Sequence, residues 1–416
     1  MDKIFRSFLS TLIKVGSLDV ETASGQSFTV GDGTPPSAAI RFRDPAAQIA
    51  FMFRPGLRFG ELYMDERVEV MRGTIYDVLA IGSRNMGRFQ RFIWIRIAER
   101  ARCALRSFAQ RNHLLQARRN VAHHYDLDSR LYQLFLDQDL QYSCAYFEDD
   151  AATLDAAQLA KKRHIAAKLL VEPGDRVLDI GCGWGGMALY LAEICGAHVT
   201  GITLSREQLA VARNRLSDAG QRARAEFCLE DYRETEGRFD RIVSVGMFEH
   251  VGLGFYDSFF QKIAQLLDDK GVALIHTIGN GGVPAATNPW VAKYIFPGGY
   301  IPSLSDVAPA IERAGLFVTD LEVLRLHYAE TIKHWRERFL ARRAEVAALY
   351  DERFCRMWEF YLAGAECGFR FEQTAVFQIQ LAKKIDAIPL TRNYIAAREG
   401  DLRRRDSMAT GLRIVG

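Results

Sequence analysis

Apolar residues at the start of the chain recur every three or four positions, which predicts an amphipathic helix. These residues are Ile4, Phe5, Phe8, Leu9, Leu12 and Ile13. Polar residues interrupt the stretch and no small-residue cleavage site follows it, so we do not interpret it as a signal peptide. Short alternating runs at 18–23, 38–42 and 67–73 are separated by turn residues. Together these patterns predict a small α+β domain over residues 1–90.

From residue 160 onward, the pattern changes to short apolar runs separated by segments of helical length. The runs predict strands at 176–181, 198–203, 225–231, 239–246, 271–277, 317–323 and 375–384. Because most of these strands alternate with helices, we expect a mostly parallel sheet that is covered on both faces. A long, mostly helical stretch at 304–373 interrupts the alternation and forms a predicted helical insertion.

Residues 84–119 combine ten arginines with a single acidic residue, Glu99, and interleave them with apolar residues. A basic amphipathic helix of this kind is typical of an element that lies on a membrane surface or contacts an acidic partner. The alternative is a solvated linker helix that packs on one face. We predict a basic helical linker at 91–135, a second domain at 136–395 and a C-terminal tail at 396–416.

Composition narrows the class of protein. The 416 residues suffice for two or three domains of about 100–200 residues each. A net charge of +3 does not by itself indicate a nucleic-acid partner, and none is expected. The seven cysteines include no CxxC pair, which argues against a disulfide framework and a structural zinc site and favours a reducing compartment. No apolar run is long enough to span a membrane, so we expect a cytoplasmic protein.

The first strand after residue 160 runs into a glycine-rich turn, VLDIGCGWGG at 177–186. Glycines permit a sharp turn and let a ligand approach the backbone closely. Nicotinamide-binding folds use G-x-G-x-x-G and an acid at the end of the second strand. Here the spacing is G-x-G-x-G, the acid is Asp179 ahead of the glycines, and the second strand ends in GITLSREQ at 201–208. This arrangement is typical of class I methyltransferases, which bind S-adenosylmethionine; a dinucleotide is the alternative.

Several polar residues admit two interpretations. Ser205 and Gln208 match a helix-capping box, although Gln208 would also face a bound ribose. A lone cysteine such as Cys144 is most often a buried small hydrophobe. Glu249 and His276 follow the fourth and fifth strands of this region, whose carboxyl ends are where such sheets bind ligands. A further alternative is a thiol-protease triad formed by Cys144, His276 and Glu249, which the glycine-rich turn disfavours. We expect His250 and His327 to be structural.

Eight sequence blocks in order give a more specific signal. They are YSCAYF (142–147), VLDIGCGWGG (177–186), GITLSREQ (201–208), GMFEHVG (246–252), HTIG (276–279), KYIFPGGYIPS (293–303), HYAET (327–331) and FCRMWEFYLAGAECGF (354–369). Over about residues 120–390 the chain resembles the cyclopropane-fatty-acyl-phospholipid synthases and the related mycolic acid methyltransferases. The resemblance implies a class I methyltransferase fold, α/β and Rossmann-like, with a seven-stranded, mostly parallel sheet and a helical insertion, preceded by a small α+β lipid-binding domain.

The resemblance also implies site residues. A bicarbonate ion would be surrounded by Cys144, Glu249, His276, Ile278 and Tyr328. S-adenosylmethionine would contact Tyr142, Ser143, Asp179, Gly181, Gly183, Thr203, Leu204, Gln208, Tyr232 and Arg233. The last two lie in EDYRE, where relatives often have a tryptophan. No metal site is implied.

The implied activity is transfer of a methylene from S-adenosylmethionine to the cis double bond of an unsaturated phospholipid. Attack of the alkene on the methyl carbon leaves a carbocation in the acyl chain, and loss of a proton to bicarbonate closes a cyclopropane ring. The enzyme would lie peripherally on the inner membrane surface, and relatives suggest a homodimer. One alternative is a methyl-branching methyltransferase, with a flavoprotein reductase partner if the product is saturated. Another is a non-catalytic lipid-binding protein.

Overall fold

The computed structural model describes residues 1–104, 128–220 and 224–415. Its helices are α1 (Asp2–Leu12), α2 (Pro45–Phe53), α3 (Pro55–Met64), α4 (Ile75–Arg84), α5 (Ile93–Ala104), α6 (Ser129–Phe135), α7 (Leu154–Leu169), α8 (Gly186–Glu193), α9 (Arg206–Ala219), α10 (Tyr256–Leu266), α11 (Pro289–Tyr294), α12 (Leu304–Arg313), α13 (His327–Ala341), α14 (Arg343–Leu349), α15 (Glu352–Phe371) and α16 (Asn393–Val415). Its strands are β1 (Ser17–Glu21), β2 (Ser27–Gly31), β3 (Ser37–Phe42), β4 (Val68–Arg72), β5 (Arg176–Ile180), β6 (His198–Thr203), β7 (Ala225–Leu229), β8 (Phe239–Val245), β9 (Leu267–Asn280), β10 (Phe317–Leu324) and β11 (Thr374–Ala382). Within the described ranges, no helix is both long and apolar enough to cross a membrane.

The chain forms two compact units, and each unit combines three segments. The first comprises Met1–Ala109, Ala285–Pro297 and Ala329–Thr374, and the second comprises Gln110–Pro284, Gly298–Tyr328 and Ala375–Gly416. The predicted domains at 1–90, 91–135, 136–395 and 396–416 are continuous segments, so their boundaries differ from those of the units. Two parts of the long stretch after β9 thus belong to the first unit. The part of the predicted linker at 105–127 lies outside the described residues.

The first unit contains a four-stranded sheet in the order β2-β1-β3-β4, in which β1 and β3 are parallel and the other neighbours antiparallel. Helix α1 buries Phe5 and Phe8 in the core of this unit, while Ile4 is exposed. The predicted N-terminal helix and the α+β character of residues 1–90 are therefore confirmed. The ring of Phe5 packs edge-on against that of Phe42, and Ala363 from α15 completes the same core.

The second unit contains a seven-stranded sheet in the order β10-β11-β9-β8-β5-β6-β7. The pairs from β9 to β7 are parallel, whereas β10 and β11 are antiparallel. Val177 and Leu178, adjacent on β5, belong to two separate apolar clusters, as expected for a sheet that is covered on both faces. The predicted Rossmann-like α/β fold is confirmed. The strand order reverses beside β5, so a crevice opens between the carboxyl ends of β5 and β8, where ligands bind in such sheets.

Helix α7 is rich in charged residues yet largely buried, and the C-terminal helix α16 supplies partners for them. The guanidinium of Arg163 pairs with Asp406 at 3.0 Å. His164 lies between two carboxylates, with Nδ1 2.6 Å from Glu399 and Nε2 2.8 Å from Glu322. The segment predicted as a C-terminal tail is therefore part of a helix that packs on α7.

Replacing His164 with alanine is expected to lower the free energy of unfolding by roughly 3 kcal/mol, because the partly buried carboxylates of Glu322 and Glu399 lose their shared partner and a cavity is left in its place. Burial alone lowers the pKa of His164, but the hydrogen bonds to Glu322 and Glu399 outweigh it and raise the pKa overall. The stabilisation should be fully present below the unfolded-state pKa of about 6.5 and disappear as pH rises through the higher folded-state pKa. Urea titrations at several pH values measure both effects.

The exposed His198 provides the control, because a surface substitution typically changes stability by less than about 0.5 kcal/mol. Equal losses for His164→Ala and His198→Ala, or a loss for His164→Ala that does not change with pH, would contradict the charged pairing.

Candidate active site

A cavity opens at the carboxyl ends of β5, β6 and β8, at the place where the strand order reverses. All ten residues predicted to contact S-adenosylmethionine line it: Tyr142, Ser143, Asp179, Gly181, Gly183, Thr203, Leu204, Gln208, Tyr232 and Arg233. Residues far apart in sequence meet here because the tips of parallel strands share one edge of the sheet. The structure thus brings the whole predicted set together.

The glycine-rich turn forms a narrow cradle at the tip of β5. Gly181 has a φ of +81°, and a Cβ built on it would lie 2.7 Å from Cβ of Met247. Gly183 has a φ of +56°, and a Cβ there would meet no atom within 4 Å. Gly181 therefore has no room for a side chain, and the positive φ of both residues favours glycine. At Gly183 the missing side chain leaves open space for a ligand.

Asp179 is 1% exposed at the end of β5. Among the described residues, its Oδ2 atom has no hydrogen-bond partner. Burial raises the pKa of Asp179 to about 7, and the nearby ammonium of Lys161 lowers it. An unpartnered carboxylate oxygen in a buried place is costly, so it fits a site where a ligand supplies a donor.

The start of α9 resolves the two interpretations of Ser205 and Gln208. The hydroxyl of Ser205 accepts a hydrogen bond from the backbone N–H of Gln208 at 3.2 Å and caps the helix. The side-chain oxygen of Gln208 instead accepts from the hydroxyl of Thr203 at 3.0 Å, and both residues line the cavity. Ser205 is therefore the cap, and the Gln208 side chain is held beside the cavity.

Sequence reasoning missed several residues that also line the cavity. Asp231 follows β7 and is bonded by the Arg233 side chain through Nε and Nη2, each at 2.7 Å. The signal available was its place after a strand of the parallel sheet, where Asp231 directly precedes the predicted Tyr232 and Arg233. His250, expected to be structural, also lines the cavity, and burial lowers its pKa to about 4, so its imidazole is neutral at pH 7.

Three of the five residues predicted to surround bicarbonate meet at the tips of β8 and β9. The backbone N–H of Ile278 donates to Oε1 of Glu249 at 2.5 Å, and the N–H of Gly246 donates to the carbonyl of His276 at 2.9 Å. Burial raises the pKa of Glu249 to about 7 against the lowering effect of the Ile278 hydrogen bond. Among the described residues, Oε2 of Glu249 has no hydrogen-bond partner.

The tautomer of His276 follows from its neighbour on β11. The side-chain amide of Gln378 lies 3.2 Å from Nδ1 of His276; with the amide nitrogen as the donor, Nδ1 accepts and the ring proton is on Nε2. Within the described part of the chain, Nε2 has no partner. Burial holds the pKa of His276 well below its usual value, so the ring is neutral. Glu249 and His276 thus offer one free acceptor and one free donor in a buried place.

Cys144 and Tyr328 are both buried, and their flanking residues are joined. The backbone N–H of Phe147 donates to Nδ1 of His327 at 3.0 Å, and the ring of Tyr146 stacks on His327 with centroids 4.9 Å apart. His327, expected to be structural, ties the segment after Cys144 to the residue before Tyr328. The thiol of Cys144 donates to the carbonyl of Ala145 at 3.2 Å.

Comparisons with known proteins agree with this geometry. Residues 112–379 match the family described as mycolic acid cyclopropane synthetase. A probable fatty acid methyltransferase of Pseudomonas putida is 42% identical over 260 residues, which cover 61% of this chain and 66% of that protein. The cyclopropane-fatty-acyl-phospholipid synthase of Escherichia coli K12 is 37% identical over 361 residues, covering 85% and 90%. The crystal structure of mycolic acid cyclopropane synthase CmaA1 complexed with SAH and CTAB matches with a TM-score of 0.61 and 34% identity, covering 64% of this chain and 97% of that one.

Proposed function

The chain belongs to the mycolic acid cyclopropane synthetase family, and from this premise we propose that it converts the cis double bond of an unsaturated phospholipid chain into a cyclopropane ring. It is an S-adenosylmethionine-dependent methyltransferase. The observation that carries the proposal is that Glu249 and His276, which are both buried at the neighbouring tips of β8 and β9 and are called the buried pair below, have one acceptor and one donor atom unpartnered among the described residues. A simple methyl transfer to a strong nucleophile needs no such pair, whereas ring closure needs a base that removes a proton.

The cavity fits S-adenosylmethionine. When bound, this group supplies an electrophilic methyl carbon on a sulfonium. The Gly181–Gly183 cradle admits a ligand close to the backbone, and Oδ2 of Asp179 would accept from its amino group. Gln208, held by Thr203, would face the ribose.

The buried pair fits bicarbonate, which would supply the base. Nε2 of His276 would donate to one of its oxygens, and Oε2 of Glu249 would accept from its hydroxyl. Ile278 fixes Glu249 through its backbone N–H, and we assign Cys144 and Tyr328 to the same site from the family resemblance. The burial of Glu249 and His276 would keep water from the carbocation.

The first unit supports phospholipid as the substrate. The E. coli phospholipid synthase is covered over 90% of its length, whereas the mycolic acid synthase CmaA1 is covered over 97% but matches only 64% of this chain. This chain is therefore longer than CmaA1, as the phospholipid enzyme is, and the α+β region at 1–90 precedes the family match at residues 112–379.

Helix α5 supports a place on the membrane surface. Its side chains Ile93, Trp94 and Ile97 are exposed, together with Arg96 and Arg100. Exposed apolar and cationic side chains on one helix favour the boundary of an anionic bilayer. We assign the enzyme to the inner membrane surface on this basis, and the homodimer remains a prediction.

Replacing Arg91, Arg96 and Arg100 with glutamine is expected to weaken binding to anionic vesicles by about 1 kcal/mol per arginine at low salt. The difference should shrink as ionic strength rises, because salt screens exposed charges. Sedimentation with vesicles of defined phosphatidylglycerol content measures it. The exposed Arg206, Arg224 and Arg342, replaced together, give a control with the same loss of charge. Arg91 lies just ahead of α5, so equal weakening in both triple variants would remove α5 and the residues directly before it as the membrane element.

The function is tested by incubating the purified protein with unsaturated phospholipid vesicles, S-adenosylmethionine and bicarbonate, and measuring acyl-chain mass and unsaturation. Addition of one CH2 with loss of the double bond and a ring signal by NMR is expected. Addition with the double bond retained would instead favour methyl branching, the second candidate, which the similarity to the P. putida fatty acid methyltransferase supports. Addition of a methyl branch with the bond saturated only when a flavoprotein reductase is present would favour its reductive form.

A further inference from the structure

Lys161 lies in the third turn of α7, and its side chain is 0% exposed. Its ammonium donates to the side-chain oxygen of Gln141 at 2.5 Å and to the hydroxyl of Ser143 at 2.8 Å. Both acceptors line the cofactor cavity. The ammonium therefore lies directly behind the wall of the cavity.

The charge of Lys161 is not balanced by an ion pair. Both of its hydrogen-bond acceptors are neutral. Among the described residues no carboxylate oxygen lies within 4.0 Å of Nζ, and the carboxylates of Asp137 and Asp139 act on it only from a greater distance. By contrast, the adjacent Lys162 pairs with Asp139 at 2.6 Å. A buried cation without a directly bonded counter-ion is costly, because burial disfavours the charged form. Burial lowers the pKa of Lys161 to about 8, so most of the side chain is still protonated at pH 7.

The charge acts on both halves of the site. It lowers the pKa of Asp179 in the cofactor cavity, and after burial it is the largest cause of the lowered pKa of His276. The thiol of Cys144 in turn influences Lys161. Its hydrogen-bond partner Ser143 lines the cofactor cavity and directly precedes Cys144 of the predicted bicarbonate site, so Lys161 lies where the two predicted sites adjoin.

We propose that Lys161 is a positioning residue whose positive charge holds a carboxylate-type anion at this junction. The proposal rests on the proposed function and deepens it. A planar anion of this kind could be bicarbonate or the carboxylate group of S-adenosylmethionine. In both cases the buried charge gains an anion in addition to the Asp137 and Asp139 carboxylates, with which it makes no direct ion pair.

The same helix offers a matched control for a purely structural role. The amide nitrogen of Gln158 donates to the carbonyl oxygens of Gln141 at 3.2 Å and Ser143 at 2.9 Å. Gln158→Leu removes contacts to the same two residues without removing a charge. Lys161→Gln removes the charge but keeps a donor, and Lys161→Arg keeps the charge.

Calorimetry with S-adenosylhomocysteine and with 5′-methylthioadenosine, which lacks the carboxylate, measures binding without turnover. Titration of 13C-bicarbonate followed by NMR measures the second anion. We expect Lys161→Gln to weaken at least one carboxylate-bearing ligand more than tenfold, to leave methylthioadenosine within threefold, and to be partly rescued in Lys161→Arg. A loss confined to bicarbonate identifies that anion, and a loss confined to S-adenosylhomocysteine identifies the cofactor carboxylate.

Two results would overturn the proposal: unchanged binding of both anions in Lys161→Gln, or the same losses, including methylthioadenosine, in Lys161→Gln and Gln158→Leu. Thermal melting excludes variants that do not fold, and Lys161→Met then provides a second neutral substitution. These experiments measure binding directly and do not depend on turnover. A wild-type protein that binds cofactor but forms no ring would therefore contradict the proposed function and leave the test of Lys161 unaffected.

Discussion

Glu249→Gln is expected to lower turnover by about 10²–10⁴-fold, the usual contribution of general acid–base groups, while cofactor affinity stays near that of the wild type. Glutamine can still accept the hydrogen bond from the backbone of Ile278 through its side-chain oxygen. It cannot take up a proton, and it presents an amide where Oε2 now has no partner among the described residues. Glu249 does not line the cofactor cavity, so cofactor binding should be spared.

Steady-state kinetics and calorimetry with S-adenosylhomocysteine separate the two effects. Because burial raises the pKa of Glu249 to about 7, kcat/KM of the wild type should fall as pH drops below that value. The residual kcat/KM of Glu249→Gln should not show this decrease at low pH. Glu230, which does line the cavity, is the control. Glu230→Gln should affect affinity more than turnover. A Glu249→Gln variant with normal turnover, or one that loses cofactor affinity in parallel, would refute the assignment.

Gly183→Val is expected to weaken S-adenosylhomocysteine binding by about 10–100-fold, which corresponds to the roughly 1–3 kcal/mol of steric overpacking. A side chain at this position would occupy open space at the cavity, since nothing lies within 4 Å of a Cβ built there. Calorimetry measures the affinity, and circular dichroism checks the fold.

The control for backbone strain is Gly174→Val. Gly174 has a φ of +90° and equally open surroundings, but it does not line the cavity. Both variants should lose thermal stability because a side chain is disfavoured at positive φ. Only Gly183→Val should lose cofactor. If both variants bind S-adenosylhomocysteine equally well, the cradle is not the cofactor site.

The strands of the second unit could be predicted because their residues are apolar over short runs. All seven predicted strands are present, although β9 begins at Leu267, four residues ahead of its predicted start, within the polar stretch LDDKG. The short strand β2, SFTVG, was missed, because only Phe28 and Val30 in it are apolar. The membership of 285–297 and 329–374 in the first unit could not be predicted, because it depends on contacts between distant segments.

The cavity lining was predictable where a motif lies at a strand tip, as with Asp179 and Gly181. Lys161 was not, because a lysine in a charge-rich helix such as KKRHIAAK resembles a solvated face. Its burial results from the packing of α7 and from the segment that holds Gln141 and Ser143. Local pattern therefore located the ligand-facing loops, while the charge behind them required the tertiary structure.

The three-segment construction of the first unit has a consequence for modularity. Ala363, from α15, lies in the same apolar core as Phe5 and Phe42 near the start of the chain. A chain that ends after residue 109 would lack the part of this core that α15 supplies. Exchanging only the N-terminal region between relatives would combine core residues that do not pack together. The unit can be transplanted only as three coordinated pieces, so this region and the segments 285–297 and 329–374 are expected to be inherited together, not shuffled by a single recombination event.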